Sequence, residues 1–316
     1  MRTKGHVTAV LLLVAVAAAG CSKRGEAPQT TTQESPVSAQ AKPVAVPGAF
    51  DGKDEEGVGE DATPKISGPV SFAGADAAYQ AKNYGEAAKL FERYTEQRPD
   101  NAWGHFMLGL SAWKGGDPAR AEDAFEKALS IDANHVKSLV NLSRVLIAQD
   151  RIDEALVTLT HAGDIDPNST DVQRLLGRAY HAQGNTDEAV DAYRRAIALD
   201  VRDAWSMNNL GLLLLEQQRA DEGLPLLAKA VELRKDVPAF HNNLGMALEH
   251  TGRFVAAAGE YRGALTADPG YGKAQKNLAR VEAVKGDREE PFDLEATAQR
   301  SLEDPKISRD ETIAGR

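Results

Sequence analysis

A set of small and apolar residues returns every 34 positions along this chain, and that recurrence limits its fold more than any other feature. Between Thr170 and Asp203 the slots hold Leu176-Gly177, Tyr180, Gly184, Ala189, Tyr193 and Ala196. One period earlier they hold Leu142-Ser143, Leu146, Asp150, Ala155, Leu159 and Ala162. One period later they hold Leu210-Gly211, Leu214, Gln218, Gly223, Leu227 and Ala230, and the next step gives Leu244-Gly245, Leu248, Gly252, Ala257, Tyr261 and Ala264. A spacing held without slippage implies a stack of like units, each burying its apolar face on a neighbour. Six such units fit between Gly68 and Tyr271: 68–101, 102–135, 136–169, 170–203, 204–237 and 238–271.

Within one unit the periodicity is helical. Numbered from its first residue, positions 4, 7, 8 and 11 fall within about 100° of arc at 3.6 residues per turn, so they form one packing stripe. A small residue at position 8 admits a second helix closely, and a large residue at 24 fills the space that Ala at 20 leaves. The breaks agree. Gly115-Gly116-Asp117-Pro118 ends one helix and opens the next, with Asp117 as N-cap and Pro118 at the first helical position. Pro99, Pro167 and Pro269 stop the second helix of their units. Two units depart from the pattern. The first has Phe72, Gly74, Ala75 and Ala78 where the first-helix signature belongs, and the fifth has Gly223 for Ala and Pro225 one turn into its second helix. Pro225 is expected to shift or kink that helix.

The 34-residue period with this Leu-Gly, Tyr, Ala, Phe and Pro order resembles the tetratricopeptide repeat family. The resemblance implies an all-α, right-handed solenoid of helix-turn-helix repeats, and Ala274, Leu278 and Val281 continue one more first-helix pattern as its solvating C-terminal cap. We therefore expect the solenoid over 68–285 and a flexible tail over 286–316, interrupted at most by a short helix near Leu294 to Leu302.

The family lines a concave groove with first helices, through positions 2, 5, 6, 9, 12 and 13. Those positions cluster away from the packing stripe by the 100° rule. They give Trp103, Phe106, Lys137, Asn141, Arg144, Arg174, Arg178, Trp205, Asn209, Asn243 and Asn277 as candidate peptide-groove residues. Three features of that set point to a ligand. Asn recurs at position 6, where family members use it to bond a peptide backbone, although Asn is also a common consensus residue there. Lys137, Arg144, Arg174 and Arg178 make a basic band suited to an acidic or C-terminal carboxylate ligand, or equally a solvated helix face. Trp103, Phe106 and Trp205 suit interface anchoring, while Trp103 and Phe106 are equally suited to packing on the first repeat.

Composition narrows the chemistry. With 37 basic and 47 acidic side chains the formal charge is −10, which argues against nonspecific nucleic-acid binding. A single Cys excludes an intramolecular disulfide framework and a multi-Cys metal knuckle. Gly52-Lys53 and Gly272-Lys273 lack the remainder of a phosphate loop, and no His-Glu-x-x-His run or Gly-x-Ser-x-Gly turn is present. His105 and His241 occupy packing position 4. We read no catalytic residues, no metal ligands and no cofactor, hence a protein that is not an enzyme.

The N-terminus speaks to location. Arg2 and Lys4 precede an apolar run from Val7 to Ala19, which as a helix rises about 20 Å and falls short of a ~30 Å hydrocarbon core. It reads as a secretory signal over 1–20. Ala18-Ala19-Gly20-Cys21 resembles a bacterial lipobox, although Leu is commoner where Ala18 stands, and the resemblance makes Cys21 the lipidation site. Cleavage after Ala19, leaving a soluble periplasmic protein, is the alternative. Residues 21–67 carry Thr30 to Thr32, the prolines Pro28, Pro36, Pro43 and Pro47, and an acidic run from Asp51 to Asp61, which suits a disordered tether. The expected function is a lipid-anchored adaptor of the bacterial envelope, facing the periplasm from the outer membrane. It would bind a partner protein through an extended peptide or helix in the groove, with no nucleic-acid partner. The alternatives are an assembly subunit working through its convex face and, further off, an enzyme with an unrecognised site. Oligomeric state is not legible.

Overall fold

The computed structural model describes residues 70–284 and 292–302, and the elements in them are helices. The Cys21 lipidation site, the signal over 1–20 and the tether over 21–67 lie outside the described residues. The first helices of the repeats are α1 (Phe72–Gln80), α3 (Ala102–Lys114), α5 (Val136–Ala148), α7 (Thr170–Gln183), α9 (Ala204–Glu216), α11 (Pro238–His250) and the cap α13 (Gly272–Glu282). The second helices are α2 (Tyr84–Gln97), α4 (Pro118–Ile131), α6 (Ile152–Ile165), α8 (Thr186–Leu199), α10 (Ala220–Leu233) and α12 (Phe254–Ala267). Helix starts therefore recur in register with the sequence period. Helix α1 starts later in its repeat than the others, with Ser71 capping it by accepting from Gly74 N–H.

Each first helix packs on its own second helix, and consecutive first helices touch, while consecutive second helices make no comparable contact. The first-helix side consequently curves inward. This is an α-solenoid. Its core repeats with the sequence: Gly109 lies over Phe125, Gly177 over Tyr193, Gly211 over Leu227 and Gly245 over Tyr261. Position 15 of every repeat takes the left-handed conformation, through Gly116, Gly184 and Gly252 and also through Lys82, Asp150 and Gln218. Asp117 caps α4 by accepting from Arg120 N–H at 3.1 Å, with Pro118 at the start of that helix.

One expectation needs correction. Pro225 does not shift the start of α10, which spans the same slots as its counterparts. The backbone bond it forfeits is the one to the carbonyl of Asp221 in the first turn, where Asp221 is exposed. The short helix expected near Leu294 to Leu302 is present, and it is docked rather than free. Helix α14 (Leu294–Gln299) and a following 3-10 turn (Arg300–Leu302) dock on α10. Position 22 of a repeat is exposed at Lys89, Asp123, Val157, Asp191 and Gly259, yet Pro225 in that slot is buried, as is Ala228 one turn on. On the docked side Ala298 is fully buried, with Phe292 and Leu294 packed against the same core. Pro225 and Ala228 thus form an apolar platform on the side of α10 that α14 covers, while Gly223 faces Gly211 of α9.

Candidate functional site

Two depressions of the inner wall gather candidate groove residues. The first is a cavity of about 430 Å³ whose lining includes Trp113, Arg144, Arg174, Arg178, Trp205 and Asn209. Three guanidinium groups thus converge from α5 and α7, but their partners differ. Arg144 bonds Asp171 at 3.3 Å and donates to Asn141 Oδ1 at 2.9 Å. Arg174 pairs with Asp171 and, at 2.7 Å, with the buried carboxylate of Asp203, which also accepts from Ser206 Oγ. Arg178 has no carboxylate partner among the described residues. Burial lowers its pKa, and the neighbouring Arg144 and Arg174 add to that effect. Burial likewise lowers the pKa of Arg144, against the opposing pull of Asp171. Both remain cations at neutral pH, because an arginine starts above 12. The floor of the cavity therefore carries one half-buried positive charge without a counter-ion.

The second depression, about 490 Å³, lies against α9, α11 and α13. Leu212, Leu215 and Met246 give it an apolar bed, and exposed Lys273 and Lys276 stand at its far rim. Asn209 lines both depressions.

The candidate groove residues separate accordingly. Asn141, Arg144, Arg174, Arg178, Trp205 and Asn209 surround the first cavity, and Asn209, Asn243 and Asn277 the second. Trp103 and Lys137 line neither. Trp103 is 40% exposed, with the Lys137 ammonium 4.9 Å from its ring centroid and His135 edge-on to it. Phe106 is a core residue rather than a groove anchor, buried against Phe125 and His135. Trp103 thus meets Lys137 of the third repeat, while the ring partners of Phe106 lie within the second. Trp205 stands T-shaped to Phe240, with ring centroids 4.8 Å apart, and also lines the cavity.

The position-6 asparagines also need correction. Asn243 donates to Asn208 Oδ1 at 2.8 Å, Asn208 to Asn209 Oδ1 at 3.1 Å, and Asn277 to Asn242 Oδ1 at 2.9 Å. Asn242 in turn reaches Asn243 Oδ1 at 3.5 Å. The amides form a ladder that stitches repeats five and six to the cap, and Asn208, Asn209, Asn242 and Asn243 are buried. Asn243 is therefore engaged with its neighbours while it also lines the second depression. Asn141 uses its amide on the Lys137 carbonyl at 2.8 Å. The paired Asn208-Asn209 and Asn242-Asn243, one period apart, were the signal for this ladder. Tyr79, which lines the first cavity from α1, occupies the same repeat slot as Trp113. That shared slot was the clue to it.

His105 and His241 are accounted for by packing. His105 meets the Pro99 carbonyl at 3.0 Å, and His241 bridges Glu260 at 2.8 Å and the Lys235 carbonyl at 3.1 Å. Among the described residues no cluster of three or more His, Cys, Asp or Glu is arranged to hold a metal ion.

Comparison with known proteins agrees with this architecture. Tetratricopeptide repeat models match residues 72–136 and 208–272, 112–179, and 177–218. Together they run without a gap from 72 to 272, and over that span the chain belongs to the tetratricopeptide repeat family. It is similar to TTC0263, a thermophilic TPR protein of Thermus thermophilus, with a TM-score of 0.52 and 20% identity, covering 58% of this chain and 100% of that one. It is similar to Pseudomonas aeruginosa pilF, with a TM-score of 0.55 and 18% identity, covering 65% of this chain and 94% of that one. It also matches the APC/C hetero-tetramer Cut9-Hcn1 at a TM-score of 0.60 and 16% identity, over 76% of this chain and 46% of that one. At these identities the likeness is one of fold. A curated relative, the probable biofilm formation methyltransferase WspC of Pseudomonas putida, is 32% identical over 90 residues. This chain spans 20% of that relative's length.

The tetratricopeptide fold is a protein–protein interaction module, and this chain is built on it.

Proposed function

We propose that this protein is a non-enzymatic adaptor of the bacterial cell envelope that takes a segment of a partner protein on its inner wall. The observation that carries the reading is the uncompensated guanidinium of Arg178 in a cavity walled by Trp113 and Trp205. Such a charge gains most from a ligand anion, because a partly desolvated ion pair is stronger than one in open water. Its neighbours Arg144 and Arg174 already have acidic partners, so Arg178 is the free member of the cluster.

The envelope setting rests on the sequence. Arg2, Lys4, the apolar run to Ala19 and the lipobox-like Ala18-Ala19-Gly20-Cys21 support export and lipid attachment at Cys21, with the outer membrane facing the periplasm as the destination. The mass of the mature N-terminal peptide tests it. Acyl mass on Cys21, and loss of membrane fractionation in Cys21→Ser, are the expected results. An unmodified Cys21 that still fractionates with membranes overturns the anchor.

A second reading, an assembly role through the outer face, is favoured by Val157. That residue is 73% exposed in the slot where Pro225 is covered by α14. A photo-crosslinking residue at Ala148 on the inner wall, and another at Val157 on the outer, separate the two. Capture from Ala148 that Arg178→Glu abolishes supports the groove. Capture from Val157 alone moves the function to the outer face.

A further inference from the structure

The two depressions of the inner wall differ in kind. The cavity at Arg178 is cationic and walled by aromatic side chains, whereas the second has an apolar bed of Leu212, Leu215 and Met246, with Glu216 held by His181 and with Lys273 and Lys276 at the rim. Asn209 lies between them and touches both, so a single ligand chain runs from one to the other without crossing a ridge of unrelated residues. Arg178, Leu212 and Met246 occupy the same repeat slot in α7, α9 and α11. Neighbouring helices stand about 8–10 Å apart, so the charge lies roughly 10–20 Å from the apolar bed.

We propose that the occupant of this groove is an extended peptide segment of a partner, with a carboxylate on Arg178 and an aliphatic or aromatic side chain on the Leu212–Met246 bed. The proposal rests on the groove reading above and specifies its ligand. At about 3.3 Å per residue the two anchors stand some three to six residues apart in the ligand. A helical ligand, rising about 1.5 Å per residue, would need roughly seven to thirteen. The spacing of the anchors therefore reports the ligand's conformation.

Each anchor has its own physical reason. A carboxylate on Arg178 supplies the counter-ion that Arg144 and Arg174 receive from Asp171 and Asp203. A ligand cation there would face three guanidinium groups, which selects against basic segments. Met246 is unbranched and adaptable, so the bed accepts several apolar shapes. Specificity thus lies in the charge and in the spacing, not in one apolar side chain.

The test is selection of random peptides, about a dozen residues long, displayed against the full chain and in parallel against Arg178→Ala and Met246→Asp. The expected outcome is enrichment of Asp or Glu three to six residues from Leu, Ile, Met or Phe. For one enriched peptide, Arg178→Ala and replacement of the peptide's acid by its amide should each weaken binding about tenfold or more, and the two together no further. The peptide-side change keeps the test valid whatever Arg178→Ala does to the fold. Enriched peptides without the acid–apolar pair, or with helical spacing, overturn this ligand while leaving the groove in place, provided that inner-wall substitutions still abolish binding. A failure of every inner-wall substitution to affect binding, or no enrichment at all, overturns the groove reading itself. Enrichment only after deletion of residues 51–61 would make the chain's own acidic stretch the occupant and overturn the partner.

Discussion

Gly177 sits directly over the ring of Tyr193: a Cβ at position 177 would lie 2.6 Å from both Cδ1 and Cε1 of that side chain. The ring is fully buried and has no open space to retreat into. Gly177→Ala is therefore expected to destabilise the solenoid by about 1–3 kcal/mol. Gly85→Ala is the control, since nothing lies within 4 Å of that position. It should be neutral or stabilising by up to about 1 kcal/mol, because Ala is the better helix former. Urea unfolding of the two variants reads both signs, and equal effects would mean that the helix pair relaxes more freely than its packing implies.

The asparagine ladder should behave as a structural unit. Asn208→Ala removes the acceptor of Asn243 and the donor to Asn209, both in buried surroundings. Leaving buried amides unpaired costs about 1–3 kcal/mol. The loss should fall on repeats five and six, and amide hydrogen exchange of α9 and α11 would show it. Exchange that rises equally in α3 would argue that the ladder has no local role.

Docking of α14 can be tested from its own side. Ala298 is fully buried and Thr297 and Ser301 nearly so. Ala298→Asp places a carboxylate in that seam and should cost about 1–3 kcal/mol. Residues 292–302 are expected to leave α10, so that exchange in α10 quickens while α3 and α4 keep their protection. No change in α10 would mean that the platform of Pro225 and Ala228 stands without its cover.

The cap should weaken in acid. Glu249 accepts two hydrogen bonds from Arg280, at 2.8 and 2.7 Å, and one from the Tyr261 hydroxyl at 2.8 Å. The Arg280 bonds, with help from Tyr261, hold its carboxyl below the ordinary value of 4.5. A carboxylate depressed in the folded state adds stability that is present above its unfolded pKa and is lost as pH falls through the folded one. The urea midpoint of the native chain should thus drop more steeply below pH 4.5 than that of Glu249→Gln. Parallel curves would show that this contact contributes nothing measurable.

Much of the architecture was legible because it is periodic. A slot that returns every 34 residues reports its own role several times over, which is why Gly109, Gly177, Gly211 and Gly245 could be placed under large partners from spacing alone. The groove side of the first helices was legible for the same reason, and Arg144, Arg174 and Arg178 do meet around one cavity. What broke the period was less legible. Pro225 was expected to shift or kink its helix, yet its slot is buried where other repeats expose it, and Phe106, suited equally to a groove and to packing, turns inward beside Phe125.

By itself, then, the amino-acid sequence determined the helix boundaries, the order of the stack and which face turns inward, because those depend on local spacing and repeat identically. Only the tertiary structure decided which of three arginines lacks a counter-ion, that buried asparagines bond each other across repeats, and that a segment near residue 298 covers α10. Those outcomes turn on side chains far apart in the chain, whose meeting depends on the curvature of the stack and is not specified by a repeat spacing.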